Sequence, residues 1–140
     1  MDSIYLYTTS HIHIDEQTTT NDLLLMLKKH DLDTFRFSYM VGAFNFAIAK
    51  VYGLNQEDSE ELFKAGVFHD IGKLGASREL INYDGQYTAA LFNEMKKHAE
   101  GGFKLLDQLK EENKPSQTIL DAVRYHHCNY DGSGYPGGLF

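Results

Sequence analysis

Proline occurs only twice in this chain, at Pro115 and Pro136, both late in the 140 residues. Proline removes a backbone donor and breaks helix interiors, so everything before position 115 is free to run in long helices. The apolar residues have the matching rhythm. From about residue 20, Leu23, Leu24 and Leu27 recur at helical spacing, and His30-Asp31 marks a break. A second helix is expected over residues 34–52. Its buried face would carry Phe37, Met40, Val41, Phe44, Ile48 and Val51, with Gly53 as the stop.

Asn55 suits the N-cap of a third helix, with Glu57, Asp58, Glu60 and Glu61 at its positive end. Leu62, Phe63, Ala65, Gly66, Val67 and Phe68 form its buried side, which ends at His69. GKLGASRELINYDG is turn-rich, with room for a single helical turn. Thr88 caps a fourth helix to about residue 97, and a fifth runs over residues 98–110. Pro115 fits the first turn of a last helix that turns Ile119, Ala122, Val123 and His126 inward. Residues 4–14 alternate weakly, as a short strand or an ordered arm would. The expectation is all-α: a bundle of about five to six helices in residues 20–140, preceded by an arm over residues 1–19.

A formal net charge of −7 makes the surface as a whole repel DNA, RNA and anionic membranes. An anionic ligand would then need metal ions or a few local lysines and arginines. The single cysteine, Cys128, excludes an internal disulfide and fits a reducing compartment. Acidic residues come early in MDSIYLYTTSHIHIDE, which has no long apolar centre, and no stretch nears the roughly 18 apolar residues of a membrane span. A soluble cytoplasmic protein is expected.

The histidines carry the chemical signal. His11 and His13 share one side of an extended segment with no third ligand nearby, and read as a solvated surface strand. His30 sits at a helix end, where an imidazolium complements the dipole. His69-Asp70 is different, because the apolar run AGVF leads straight into an imidazole and a carboxylate at the buried end of a helix. Buried charge is costly unless it is paired or bound to metal. His98 falls near a helix junction and His126-His127 near a helix end. Histidines at the ends of three apolar helices can converge in a bundle as metal ligands. The dipeptide also arises by chance, as His30-Asp31 shows.

Taken together these residues resemble the HD-GYP family, a branch of the HD superfamily of metal-dependent phosphohydrolases, over residues 31–139. HDIGK is His69-Asp70-Ile71-Gly72-Lys73. A threonine-led helix ending in Met-Lys-x-His runs from Thr88 to Met95, Lys96 and His98, with Gly102 after it. The closing HH, DG and GYP elements are His126-His127, Asp131-Gly132 and Gly134-Tyr135-Pro136. The resemblance implies a helical bundle that holds divalent iron, manganese or similar ions and hydrolyses cyclic di-GMP or a related cyclic dinucleotide. It implies that Asp70 bridges two metals, that His69 binds the first, and that His98, His126 and His127 join Asp70 on the second. Lys73 would meet a substrate phosphate, and Tyr135 in the GYP loop would shape the substrate entrance.

The departures from that pattern bear on the same site. Phe37, followed by Ser38, stands where the family has its first ligand histidine, and phenylalanine coordinates nothing. The chain stops at Phe140, before the family helix that brings a final aspartate ligand. Both groups belong to the first metal, so one ion is expected rather than two: iron or manganese, or zinc if the soft Cys128 thiol tips the preference. Ala76-Ser77 replaces an isoleucine-proline pair and Tyr83 a lysine, leaving Arg78 and Arg124 as phosphate contacts or as plain surface charge. Two functions follow. One is a cyclic-dinucleotide phosphodiesterase impaired by its lost ligands; the other is an inactive signalling module that binds a nucleotide or a protein partner. Absent helices would leave apolar surface that self-association covers.

Overall fold

A computed structural model describes residues 4–137, so the Gly138-Leu139 end of the GYP pattern and the stop at Phe140 lie outside the described residues. These residues form α1 (Thr20–His30), α2 (Leu32–Val51), α3 (Gln56–Phe68), α4 (Arg78–Ile81), α5 (Ala89–Asp107) and α6 (Gln117–Tyr125). Two 3-10 turns, Ile71–Gly75 and Glu111–Asn113, interrupt the connections. The architecture is an all-α helical bundle with no strand among the described residues. None of its helices is long and apolar enough to cross a membrane.

Every α-helix starts on a side-chain cap, because an oxygen at that position satisfies an N–H the first turn leaves free. The caps are Thr19, Asp31, Asn55, Ser77, Thr88 and Ser116. Two of these move expected boundaries. Asp31 starts α2 at Leu32 rather than at position 34, and Ser116 starts the last helix with Pro115 just outside it. The two helices expected over residues 88–110 are one, so His98 lies within α5 rather than at a junction. No proline interrupts that run, and Gly101 and Gly102 are retained because neighbours press on them. A Cβ on Gly102 would lie 2.8 Å from Val123. At the end of α2, Gly53 has φ 80°, its N–H reaches the Lys50 carbonyl and that of Leu54 reaches Ala49. This is a Schellman ending, and glycine meets its left-handed position without strain.

The core is built where α1, α3, α5 and α6 meet the HDIGK turn. Leu23, Leu27, Ile71, Leu106 and Val123 are fully enclosed there. The expected buried face of α2 is overturned. Phe37, Met40, Phe44, Ile48 and Val51 are 48–85% exposed, and the face that packs on α3 carries Thr34, Ser38, Gly42 and Ala49. The cause is backbone proximity: a Cβ on Gly66 would stand 2.7 Å from the Gly42 Cα. Small residues let two helices approach until their backbones touch, which large aromatic side chains would prevent.

The segment before α1 is an extended strap rather than a strand. Thr8 N–H donates to the Gly75 carbonyl at 2.8 Å and Ser77 N–H to the Leu6 carbonyl at 3.1 Å. Tyr7 anchors it. Its N–H donates to Glu94 Oε2 at 2.9 Å, and its phenol donates to the Gly72 carbonyl at 2.7 Å. A Cβ on Gly75 or Gly101 would collide with the Tyr7 ring, so both glycines make the slot that receives it.

Candidate metal centre

The HDIGK turn lies directly on α5 because both surfaces are glycine. A Cβ on Gly72 would collide with the His98 carbonyl and stand 2.6 Å from the Gly102 nitrogen. This contact brings Asp70, which immediately precedes the Ile71–Gly75 turn, against the middle of α5. From the other side, α6 ends at His126. Three elements therefore converge on one carboxylate, which is 4% exposed, beside a His98 that is 1% exposed.

Asp70 Oδ1 lies 3.3 Å from His98 Nε2 and 3.4 Å from His126 Nε2. Its Oδ2 lies 3.2 Å from His69 Nε2 and 3.0 Å from Lys73 Nζ. In each of these rings the other nitrogen donates to a backbone carbonyl: His69 Nδ1 to Gly66 at 2.5 Å, His98 Nδ1 to Met95 at 2.6 Å, His126 Nδ1 to Val123 at 2.9 Å. A carbonyl only accepts, so Nδ1 holds the proton and a neutral ring presents a lone pair at Nε2. Such outer bonds fix the tautomer and aim of metal-ligating histidines.

The result is an assembly of acceptors. The Nε2 atoms of His98 and His126 face each other at 3.2 Å, with a carboxylate oxygen beside both. Lone pairs at these distances are satisfied by a proton or by a cation. Asp70, His98, His126 and His127 each offer one ligand atom, all within 4.8 Å of one another. The donor set, three imidazoles and one carboxylate, fits a divalent transition-metal ion.

Electrostatics point the same way. Burial would raise the Asp70 carboxyl, but the close His126, His69 and His98 rings, with the Lys73 ammonium, hold it well below the usual carboxylate range. Burial pulls His69 down, and its hydrogen bond and attraction to Asp70 outweigh that and raise it. His127 is pushed down to about 4, by burial first and then by the neighbouring His126 and His98 rings. The ligand atoms of His98, His126 and His127 crowd one carboxylate, where a single bound cation would meet all of them.

The remaining expected site residues fall at different distances from this cluster's chemistry. Tyr135 stacks on His127, with centroids 4.5 Å apart and planes at 20°. Glycines at positive φ, Gly132 (86°) and Gly134 (90°), shape the loop that carries it. Cys128 is half-buried and its thiol donates to the Tyr135 carbonyl at 3.3 Å, so it braces this loop. Arg78 spends its donors on the carbonyls of His30 and Lys29 at the end of α1, both at 2.7 Å. Arg124 pairs with Glu100 at 2.7 Å and covers the Phe103 ring. His30 reaches the Ala76 carbonyl at 2.6 Å, and His13 makes an exposed 3.8 Å pair with Asp15. Tyr7 was not foreseen: its phenol holds the Gly72 carbonyl two residues from Asp70. The only trace in the sequence is an excess of glycine at 72, 75 and 101, which marks a slot without saying what fills it.

The chain belongs to the HD domain family, whose model matches residues 34–138. It is 34% identical to a cyclic di-GMP phosphodiesterase of Thermotoga maritima over 120 residues, 84% of this chain and 32% of the relative. It is 32% identical to a cyclic di-GMP phosphodiesterase of Pseudomonas aeruginosa over 116 residues, 83% of this chain and 27% of the relative. To a 3′3′-cGAMP-specific phosphodiesterase of Vibrio cholerae it is 25% identical over 146 residues, covering 97% of this chain and 28% of the relative. The chain thus spans only about a quarter to a third of the length of these relatives.

Proposed function

We propose that this chain forms the metal-binding HD unit of a phosphodiesterase that hydrolyses cyclic di-GMP or a related cyclic dinucleotide. One observation carries the reading: four ligand atoms from Asp70, His98, His126 and His127 lie within 4.8 Å of one another, running from a buried Asp70 and His98 to an exposed His127. The naming of the relatives as cyclic di-GMP and 3′3′-cGAMP phosphodiesterases supports the substrate class. One divalent ion, iron or manganese, or zinc, would be held by these four residues, with His69 on the far side of Asp70. When bound it supplies Lewis acidity toward a phosphoryl oxygen.

The chain's own residues supply the rest. Asp70 would offset one of the ion's two positive charges, and its carboxylate lies against the His69, His98 and His126 rings. Lys73, with its ammonium 3.0 Å from Asp70, brings a second positive charge to where a phosphate must sit. Tyr135, stacked on His127, walls one side of the cluster. Tyr7 fixes the Gly72 carbonyl and so the turn between Asp70 and Lys73.

A second reading rests on Phe37, which is 50% exposed on α2 and offers no ligand atom. Under it the chain binds a nucleotide or a protein partner without turnover. Metal content of the purified protein and hydrolysis of cyclic di-GMP with added manganese or iron separate the two. Metal retention with turnover, both lost in His126→Ala, supports the phosphodiesterase. Retention without turnover supports the binding module, and metal retention unchanged in His126→Ala refutes the assignment of the cluster.

A further inference from the structure

A cavity of about 440 Å³ opens between the N-terminal strap, α5 and the GYP loop, and none of Asp70, His98, His126 or His127 lines it. Its size is within the range of small-ligand pockets. Three of its lining residues are Lys96, Lys97 and Lys104, in a chain whose net charge is −7. Positions 97, 101 and 104 fall on one face of α5 at helical spacing, with 96 flanking it. Tyr7 fills the slot over Gly101 and forms one wall of the cavity.

The charge is not cancelled locally. The one carboxylate lining the cavity, Glu100, is engaged by Arg124 at 2.7 Å. Lys97 is paired with Glu94 at 2.7 Å. Among the described residues, Lys96 and Lys104 have no carboxylate at ion-pair distance. Lys96 instead lies 4.7 Å over the Phe92 ring and 5.7 Å from the Tyr135 ring. A half-buried ammonium held by aromatic faces is left with donors to spare. Tyr135 is therefore shared: one face props His127, and its ring also lines this cavity.

We propose that this cavity is a second ligand site, specific for a nucleoside phosphate. Lys96 and Lys104 bind the phosphate, and the Tyr135 and Tyr7 rings flank the rest of the molecule. None of the four metal-ligand residues lines this cavity, so binding here without metal and the proposed hydrolysis are tested separately.

The test is titration of the full chain with GMP, with guanosine and inorganic phosphate as separate arms, all in EDTA and followed by amide NMR. Saturable shifts at Gly101, Lys104 and Thr9 with GMP, and weaker binding of both fragments, are expected. The double variant Lys96→Gln/Lys104→Gln, which keeps the aliphatic stems, should weaken GMP about tenfold or more. Asp70→Asn should bind GMP as the parent does. The proposal is overturned by an unchanged affinity in the double variant, by phosphate binding as tightly as GMP, or by shifts confined to His126 and His127. No saturable GMP shift at millimolar concentration overturns it as well.

Discussion

His98 and His126 aim the same nitrogen at each other, Nε2 to Nε2 at 3.2 Å, while both Nδ1 atoms donate to carbonyls of their own helices. Two neutral rings in this state repel. A divalent ion should therefore stabilise the folded chain by mass action, by about 2.7 kcal/mol at a hundredfold excess over Kd. Thermal unfolding with and without manganese measures it. His98→Ala should abolish the increment, and long-range proton–nitrogen NMR should find the proton on Nδ1 in the metal-loaded protein.

Gly72→Ala should cost more than a surface glycine change, because its new methyl meets the His98 carbonyl. Overpacking of this kind costs about 1–3 kcal/mol. It should also weaken metal binding by displacing His98. Gly53→Ala is the control: its φ of 80° makes alanine strained, yet no atom lies within 4 Å, so stability should fall and metal affinity should not. Denaturant midpoints and metal titrations on both variants check the contrast.

Ser38 is 1% exposed and its hydroxyl has no hydrogen-bond partner among the described residues. An unsatisfied buried polar group costs about 1–3 kcal/mol. Ser38→Ala removes the hydroxyl without enlarging the seam between α2 and α3. Urea unfolding should show a variant as stable as the parent or more so.

Asp31 Oδ2 accepts from Thr34 N–H at 3.0 Å and from its hydroxyl at 2.6 Å, and Asn82 donates to the other oxygen at 3.3 Å. Burial pushes this carboxyl up, but the bonds from Thr34 and Asn82 outweigh it and hold it below its ordinary value. The stabilisation is therefore full above the unfolded value of about 4 and is lost as pH falls through the lower folded value. Asp31→Asn should lack that acid step while keeping an acceptor. Asp31→Ala should lose about 1 kcal/mol at pH 7. Urea unfolding at pH 7 and in acid, compared with the parent, isolates the contribution.

Phe37, Met40, Phe44, Ile48 and Val51 leave a continuous apolar stripe along α2. A second copy applying its own α2 would bury several hundred Å², approaching the roughly 800 Å² per partner of a standard interface. Sedimentation over rising concentration should show self-association, and Phe44→Glu with Ile48→Glu should remove it. A parent chain that stays monomeric at high concentration refutes this use of the face.

Two helix starts were legible because capping residues act locally: Thr88 and Asn55 are read from their own side chains, whereas the caps Asp31 and Ser116 were passed over. His69, Asp70, His98, His126 and His127 were legible as types and positions. Their convergence was not, since it depends on Gly72 resting on α5. The side of α2 that is buried was illegible for a different reason. Its apolar spacing is helical, but Ser38, Gly42 and Ala49 offer the closer approach, and size decided against hydrophobicity. The break placed at His98 treated an imidazole as a terminus, although nothing in Met95-Lys96-Lys97-His98-Ala99 opposes a continuing helix.

The Tyr7 phenol bonds a carbonyl 65 residues away, and its N–H a carboxylate 87 residues away. Loops of that length are closed only after chain entropy has been spent, whereas neighbouring helices pair early. The strap should thus dock after the helices have assembled, absent from the transition state. Tyr7→Phe would then leave the folding rate unchanged and quicken unfolding. A slowed folding limb in stopped-flow kinetics would reject that order. The strap around Tyr7 would be the last part of the molecule to become rigid, and the first to loosen.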